Sequence, residues 1–169
     1  MITSDPTPDT RSPVAEEPDA PDRRWETAKQ YALVELAGQC LAIDIASAAQ
    51  ILERPPVTPV PNTPDFVLGV CNVRGDIHSI VDIRPLLGFA PIDQGAHPDP
   101  IVILLESSRF VCGATVERVR ELLRISDAHI VAPTAEIPYV SGLCRRGQET
   151  VLVLDVEALL GSPEMTRFQ

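Results

Sequence analysis

Val67-Leu68-Gly69-Val70-Cys71 returns 73 residues later as Val140-Ser141-Gly142-Leu143-Cys144. Two further stretches return at the same spacing. Ile80-Val81-Asp82-Ile83 is echoed by Val153-Leu154-Asp155-Val156, and Leu86-Leu87-Gly88 by Leu159-Leu160-Gly161. Upstream the echo is looser, with Ala42-Ile43-Asp44-Ile45 over Gly113-Ala114-Thr115-Val116 at an offset of 71. A repeat of this period points to two similar small subdomains, in halves of about residues 31–88 and 101–161. Each half holds about five short apolar runs punctuated by turn residues, which favours barrels over a sandwich of long strands. Closing a barrel also removes the exposed strand edges on which chains aggregate.

The remaining elements follow outward from those stretches. Tyr31 to Leu36 and Gln39 to Ile45 read as two strands around an Ala37-Gly38 turn. Residues 46–54 fit either a helical turn or a strand. Residues 55–64 carry five prolines, which exclude a helix and a central strand and leave an extended loop. Phe66 to Arg74 and Ile77 to Val81 form a hairpin about Gly75-Asp76. Asp82 then caps a short helical turn that stops at Gly88. Residues 89–100 read as a linker. Ile101 to Glu106 and Arg109 to Glu117 pair about Ser107-Ser108, and Tyr139 to Arg146 and Glu149 to Leu154 about Gly147-Gln148. Asp155 opens the closing turn. Residues 1–24 hold five prolines, six acids and almost no large apolar side chain, the composition of a disordered tail. The domain proper is expected over 25–169.

Composition narrows the function. The formal net charge of −10 argues against nucleic acid, whose binders put lysine and arginine on phosphates, and against an anionic membrane surface. Hydrophobic residues make up 44% and aromatics only 4%, so the core is built from Val, Leu, Ile and Ala. Lys29 is the sole lysine beside thirteen arginines, and no glycine loop surrounds it to make a phosphate-binding site. Cys40, Cys71, Cys112 and Cys144 form no C-x-x-C pair. No apolar leader segment precedes them, and no run approaches the roughly 20 apolar residues of a membrane span. A cytoplasmic, reducing location with four free thiols is expected.

Catalytic motifs are missing. There is no G-x-G-x-x-G, G-x-S-x-G or H-E-x-x-H. His78, His97 and His129 are widely spaced, so no local pair nucleates a metal site. Asp82 and Asp155 occupy matched positions, but each precedes a helical turn, where a carboxylate accepts orphan N–H groups. The expectation is a protein with no enzymatic activity, no metal and no cofactor. Arg74 is singled out because it stands at the tip of a hairpin. Its planar fork suits bidentate pairing with carboxylates, although a solvated tip arginine explains the letter equally well. Its counterparts in the second half are read as Arg146 and Gly147, so basic character recurs loosely there.

Phe66-Val67-Leu68-Gly69-Val70-Cys71-Asn72-Val73-Arg74-Gly75 resembles the most distinctive segment of the CheW family, a strand ending in Asn-hydrophobic-Arg-Gly. Those are the coupling proteins of bacterial chemotaxis arrays. Pro61-Asn62-Thr63-Pro64, Ile80-Val81-Asp82-Ile83-Arg84 and Leu41-Ala42-Ile43-Asp44-Ile45 also match. So do Tyr139-Val140-Ser141-Gly142-Leu143 and the run from Val151 to Leu160. The resemblance covers about residues 28–165, with departures at Ala48, where a larger hydrophobe is usual, and at His78-Ser79.

That resemblance implies a mostly β fold of two small five-stranded SH3-like barrels packed together, with short helices. It implies an adaptor in the cytoplasm, recruited to membrane-associated receptor arrays without inserting in the membrane. The adaptor couples chemoreceptors to the histidine kinase CheA of a two-component system; an accessory, non-flagellar chemosensory pathway is the alternative setting. The partners would be the receptor's cytoplasmic hairpin tip, held between the barrels, and the CheA regulatory domain, held at barrel ends. Carried over by motif position, the partner-binding residues would be Gly69, Asn72, Arg74 and Gly75. Ala48, Ile51 and Thr58 would line the groove from one barrel, and Val119 and Leu122 from the other.

Overall fold

In this computed structural model, which describes residues 28–90, 101–133 and 136–167, almost every apolar run is a strand. The proline-rich tail of residues 1–24 and most of the 89–100 linker, His97 included, lie outside the described residues. The strands are β1 (Ala28–Leu36), β2 (Gln39–Asp44), β3 (Ala48–Glu53), β4 (Val67–Val73), β5 (Asp76–Val81), β6 (Ile101–Glu106), β7 (Val111–Val116), β8 (Arg118–Ser126), β9 (Ile130–Val131), β10 (Val140–Arg146) and β11 (Glu149–Leu154). Two short helices, α1 (Val156–Leu160) and α2 (Pro163–Thr166), close the chain. Residues 46–54 resolve into a 3-10 turn over Ile45–Ser47, with the Asp44 carboxylate accepting from the Ala46 N–H, followed by β3. β8 was not read from the sequence. An extra residue at Arg120 bulges the strand against Leu33–Val34 and breaks the alternation that marks a strand.

The repeat is present in the pairing itself. In the β4–β5 hairpin Gly69 faces Ile80, and in the β10–β11 hairpin Gly142 faces Val153, each with a register shift just before the glycine. The isolated Thr58–Val70 bridge matches the Val131–Leu143 pair of β9 and β10. The Asp82 N–H donates to the Phe66 carbonyl at 2.7 Å, and the Asp155 N–H to the Tyr139 carbonyl at 2.8 Å. All of these correspond at an offset of 73. The leading hairpins correspond at 71: Leu33 faces Ala42 as Leu104 faces Gly113.

The two halves do not each build their own sheet. One sheet runs β8-β1-β2-β11-β10-β9 and the other β3-β6-β7-β5-β4. Each barrel therefore takes its leading hairpin from one half and its later strands from the other, and β2–β11 and β5–β7 are the parallel joins. We call the first barrel A and the second barrel B. The expectation of one subdomain per half gives way to an exchange of hairpins. Its physical basis is that the leading hairpins are apolar on both faces. In β2, Cys40 and Ala42 enter the core inside barrel A, while Leu41 and Ile43 enter a second core that β7 and α1 share. In β6, Val102 and Leu104 face the inside of barrel B, while Ile103 and Leu105 face that same shared core. A strand buried on both faces reads as a continuous apolar run. The shared core is the seam between the barrels, and it is sealed by Leu159, Leu160 and Met165 of the two helices.

A charged strut crosses the seam. Arg84, only 2% exposed, donates from Nη2 to Glu117 Oε1 at 2.8 Å, and its Nη1 stands 3.7 Å from Asp82 Oδ2. Glu117 is the single residue linking β7 to β8, and its Oε1 also accepts from the Ala37 N–H at 2.9 Å. The strut thus ties the β1–β2 turn of barrel A to the turn after β5 in barrel B. Removing one partner of a buried pair leaves a charge uncompensated. Glu117→Ala is expected to cost about 3 kcal/mol in chemical denaturation. A cost under about 1 kcal/mol, the worth of an exposed pair, would mean that Asp82 alone satisfies Arg84.

All four cysteines are free and buried. Cys40 and Cys144 both pair with Val151 from opposite sides, so they stand two strand spacings apart, about 9.6 Å. That exceeds the reach of a disulfide, about 7 Å between Cα atoms. Burial pushes the Cys112 thiol up to about 12, and desolvation also raises Cys40 and Cys144. The native state holds these thiols neutral while the unfolded chain ionises them from about pH 9, the ordinary range. The stability they contribute is complete below that pH and is lost as pH climbs toward 12. Thiol titration should find no reactive group in the native protein at neutral pH and four after denaturation. Cys112→Val should flatten the alkaline loss of stability; an unchanged slope between pH 9 and 12 would refute the assignment.

Candidate docking surface

The β4–β5 hairpin closes on the Val73–Asp76 pair, leaving Arg74 and Gly75 as a two-residue loop. Their φ angles are +55° and +104°. Positive φ at both loop positions is the type I′ pattern, which matches the twist of the flanking strands. Gly75 meets it without a Cβ. Asn72 fastens the loop: its Oδ1 accepts from the Gly75 N–H at 2.9 Å. Arg74 is the misfit, because a left-handed conformation costs a side-chain-bearing residue about 1–2 kcal/mol.

Register corrects the reading of its counterpart. At an offset of 73, Arg74 corresponds to Gly147 (φ +62°), and Arg146 corresponds to Val73. Basic character recurs only beside the loop, at Arg145 and Arg146; at the tip position itself the second hairpin has glycine where the first keeps arginine. Arg74 is exposed and forms no ion pair among the described residues. The arginines of barrel A differ. Arg146 meets Glu121 at 2.5 Å, and Arg120 meets Glu149 at 2.5 Å. Its hydrogen bond from Arg146 holds Glu121 below the usual carboxylate range.

The other expected site residues divide by role. Gly69 is a structural residue: at φ +146°, an added Cβ would lie 2.2 Å from the Thr58 carbonyl oxygen. Thr58 is exposed and is held to Val70 by two backbone hydrogen bonds of 2.8 and 2.9 Å. Ala48 and Val119 are half-buried against the seam core. Ile51 and Leu122 are 45% and 56% exposed. These four form two matched pairs at an offset of 71. Ala48 faces Leu105 as Val119 faces Val34, and Ile51 faces Ile103 as Leu122 faces Ala32. The structure brings Ile51, Asn72 and Arg74 into one cleft of about 400 Å³ between β3 and β4. Ala48, Thr58, Val119 and Leu122 lie outside it.

Sequence reading missed the Arg84–Glu117 strut, since an arginine before Pro85 in a turn looks solvated. It also missed an apolar hollow of about 170 Å³ between Phe66, Phe110 and Met165, with Ile77 on its rim at 71% exposure. Asp155 caps α1 as expected, its Oδ1 accepting from the Ala158 N–H at 2.9 Å; Asp82 accepts likewise from the Arg84 N–H at 3.0 Å. Among the described residues no cluster of His, Cys, Asp and Glu is placed to hold a metal ion, and no helix is long and apolar enough to cross a membrane.

Fold and surface together define a double-barrel β protein whose unusual residues are presented on a hairpin tip and on edge strands. The CheW-like domain family matches residues 30–164, and the chain belongs to that family. It is 32% identical over 142 residues to the chemotaxis protein CheW of Klebsiella aerogenes, spanning 81% of this chain and 84% of that one. It is 29% identical over 135 residues to the probable chemotaxis protein CheW of Rhizobium etli, spanning 76% and 85%. The crystal structure of the scaffolding protein TtCheW from Thermoanaerobacter tengcongensis shares the fold, with a TM-score of 0.71 at 21% identity over 81% of this chain and 95% of that one.

Proposed function

We propose that the chain is a non-catalytic adaptor that couples chemoreceptors to the histidine kinase CheA, working in the cytoplasm at a receptor array. The observation that carries this reading is Arg74: an exposed, unpaired arginine held at positive φ where the matching hairpin has glycine. A side chain kept at a conformational cost, with no partner among the described residues, has its use outside the fold. The names of the relatives, chemotaxis protein CheW, support the setting.

In this reading the receptor hairpin lies along the edge strands, touching Ile51, Ala48 and Thr58 on barrel B and Val119 and Leu122 on barrel A. Arg74 meets partner carboxylates from its hairpin tip. The CheA regulatory domain docks at a barrel end. The test is co-purification of the full chain with a receptor cytoplasmic fragment and, separately, with the CheA regulatory domain. Binding of both supports coupling; binding of neither defeats it.

A further inference from the structure

The two barrels close differently. In barrel A the gap between the edge strand β8 and the β10 hairpin is stapled by Glu121 and Arg146 through both oxygens, at 2.5 and 3.2 Å. By the offsets of 71 and 73, the counterparts in barrel B are Gln50 and Val73, which form no ion pair. The corresponding gap, between β3 and β4, is the cleft of about 400 Å³. Ile51, Leu52, Cys71 and Val73 line it with apolar side chains, Glu53, Arg54 and Asn72 add polar ones, and Arg74 lines it as well. Among the described residues, no strand beyond Thr58 pairs with the outer edge of β4. Such a site fits an extended peptide that offers an apolar side chain followed by carboxylates.

The chain carries such a peptide. Residues 1–27 hold seven acids and three arginines, a net charge of −4. Within them Val14-Ala15-Glu16-Glu17 runs between Pro13 and Pro18, an apolar side chain followed by two carboxylates. The segment joins the fold at Ala28, which pairs with Ser126 on the edge strand β8. At about 3.3 Å per residue, the ten residues 18–27 span up to about 33 Å, roughly twice the radius of gyration, about 14 Å, of a domain of this size. We propose that residues 14–17 occupy the β3–β4 cleft, with Val14 on its apolar wall and Glu16 and Glu17 on Arg74. The segment is then an internal competitor for Arg74, a consequence that rests on the adaptor reading above.

The test uses the full chain. A spin label is placed at Ala15→Cys, where the native thiols, all buried, do not compete. The methyl resonances of Ile51, Leu52 and Val73 are expected to lose most of their intensity, while those of Leu122 and Val131 on barrel A keep theirs. Glu16→Lys with Glu17→Lys should restore the lost signals, and adding Arg74→Glu to that pair should remove them again. This measurement involves no partner. Broadening that is absent, centred elsewhere or indifferent to charge reversal overturns the contact, whatever becomes of the adaptor reading. The second arm is affinity for the receptor cytoplasmic fragment, expected to rise several-fold in the double lysine variant. Unchanged affinity beside a verified contact overturns the competition.

Discussion

Arg74→Gly should leave the fold as stable as before, or slightly more so, and weaken partner binding about thirtyfold. The stability half follows from the hairpin. Arg74 sits at φ +55°, a region glycine enters without penalty, and the matching hairpin has Gly147 there. Glycine loses more entropy on folding, so the two effects offset to within about 1 kcal/mol. The binding half follows from the chemistry of the removed group. An interface arginine at a hot spot is worth about 2 kcal/mol or more, and that is roughly a thirtyfold change in affinity. Arg74→Glu should bind more weakly still, because repulsion is added to the lost pairing. Melting temperature and affinity for the receptor fragment and for CheA are measured together. Normal binding to both partners removes Arg74 from the interface. A clear fall in melting temperature would give the side chain a role within the fold.

A stability loss as large as that at Glu117 is expected within β4 of the same hairpin, at Gly69→Ala. The new Cβ would sit 2.2 Å from the Thr58 oxygen and 2.7 Å from its carbonyl carbon. Both are backbone atoms, and two hydrogen bonds to Val70 hold them. No rotamer change relieves the clash, so the 55–64 loop must move off β4, and φ +146° is strained for alanine in any case. A loss of about 3 kcal/mol is expected, at the upper end for single substitutions. The matching Gly142→Ala is a control inside the same molecule. There the Cβ would meet Ile130 Cγ2 at 2.3 Å, which a change of that side chain's χ1 moves away, the Val131 carbonyl oxygen is no nearer than 3.2 Å, and no positive φ is involved. That change should cost about 1–2 kcal/mol, the range for overpacking. Urea midpoints decide between them. Equal losses at the two glycines would show that the Thr58 backbone yields as easily as the Ile130 side chain.

Much of this was legible in the letters, because some features depend only on neighbours along the chain. The 73-residue echo, the Ala37-Gly38 turn and the Asp155 cap are local, and each stands where it was read. The motif around Arg74 marked the hairpin whose tip the structure exposes. β8 escaped because its bulge disturbs the period of two on which strand reading relies. Arg84 escaped because charge in a turn ordinarily means solvent, and the hydrogen-bonded carboxylate that makes its burial tolerable, Glu117, stands 33 residues away. Tertiary structure alone decided three things: which half supplies each leading hairpin, which barrel gap is stapled, and where Arg74 stands relative to Ile51. The physical reason is common to all three. A continuous apolar run states that both faces of a strand are to be buried but not against what, and strands apolar on both faces accept more than one neighbour. The choice falls to packing around the shared seam, where Leu41, Ile43, Ile103 and Leu105 from different halves meet in one core.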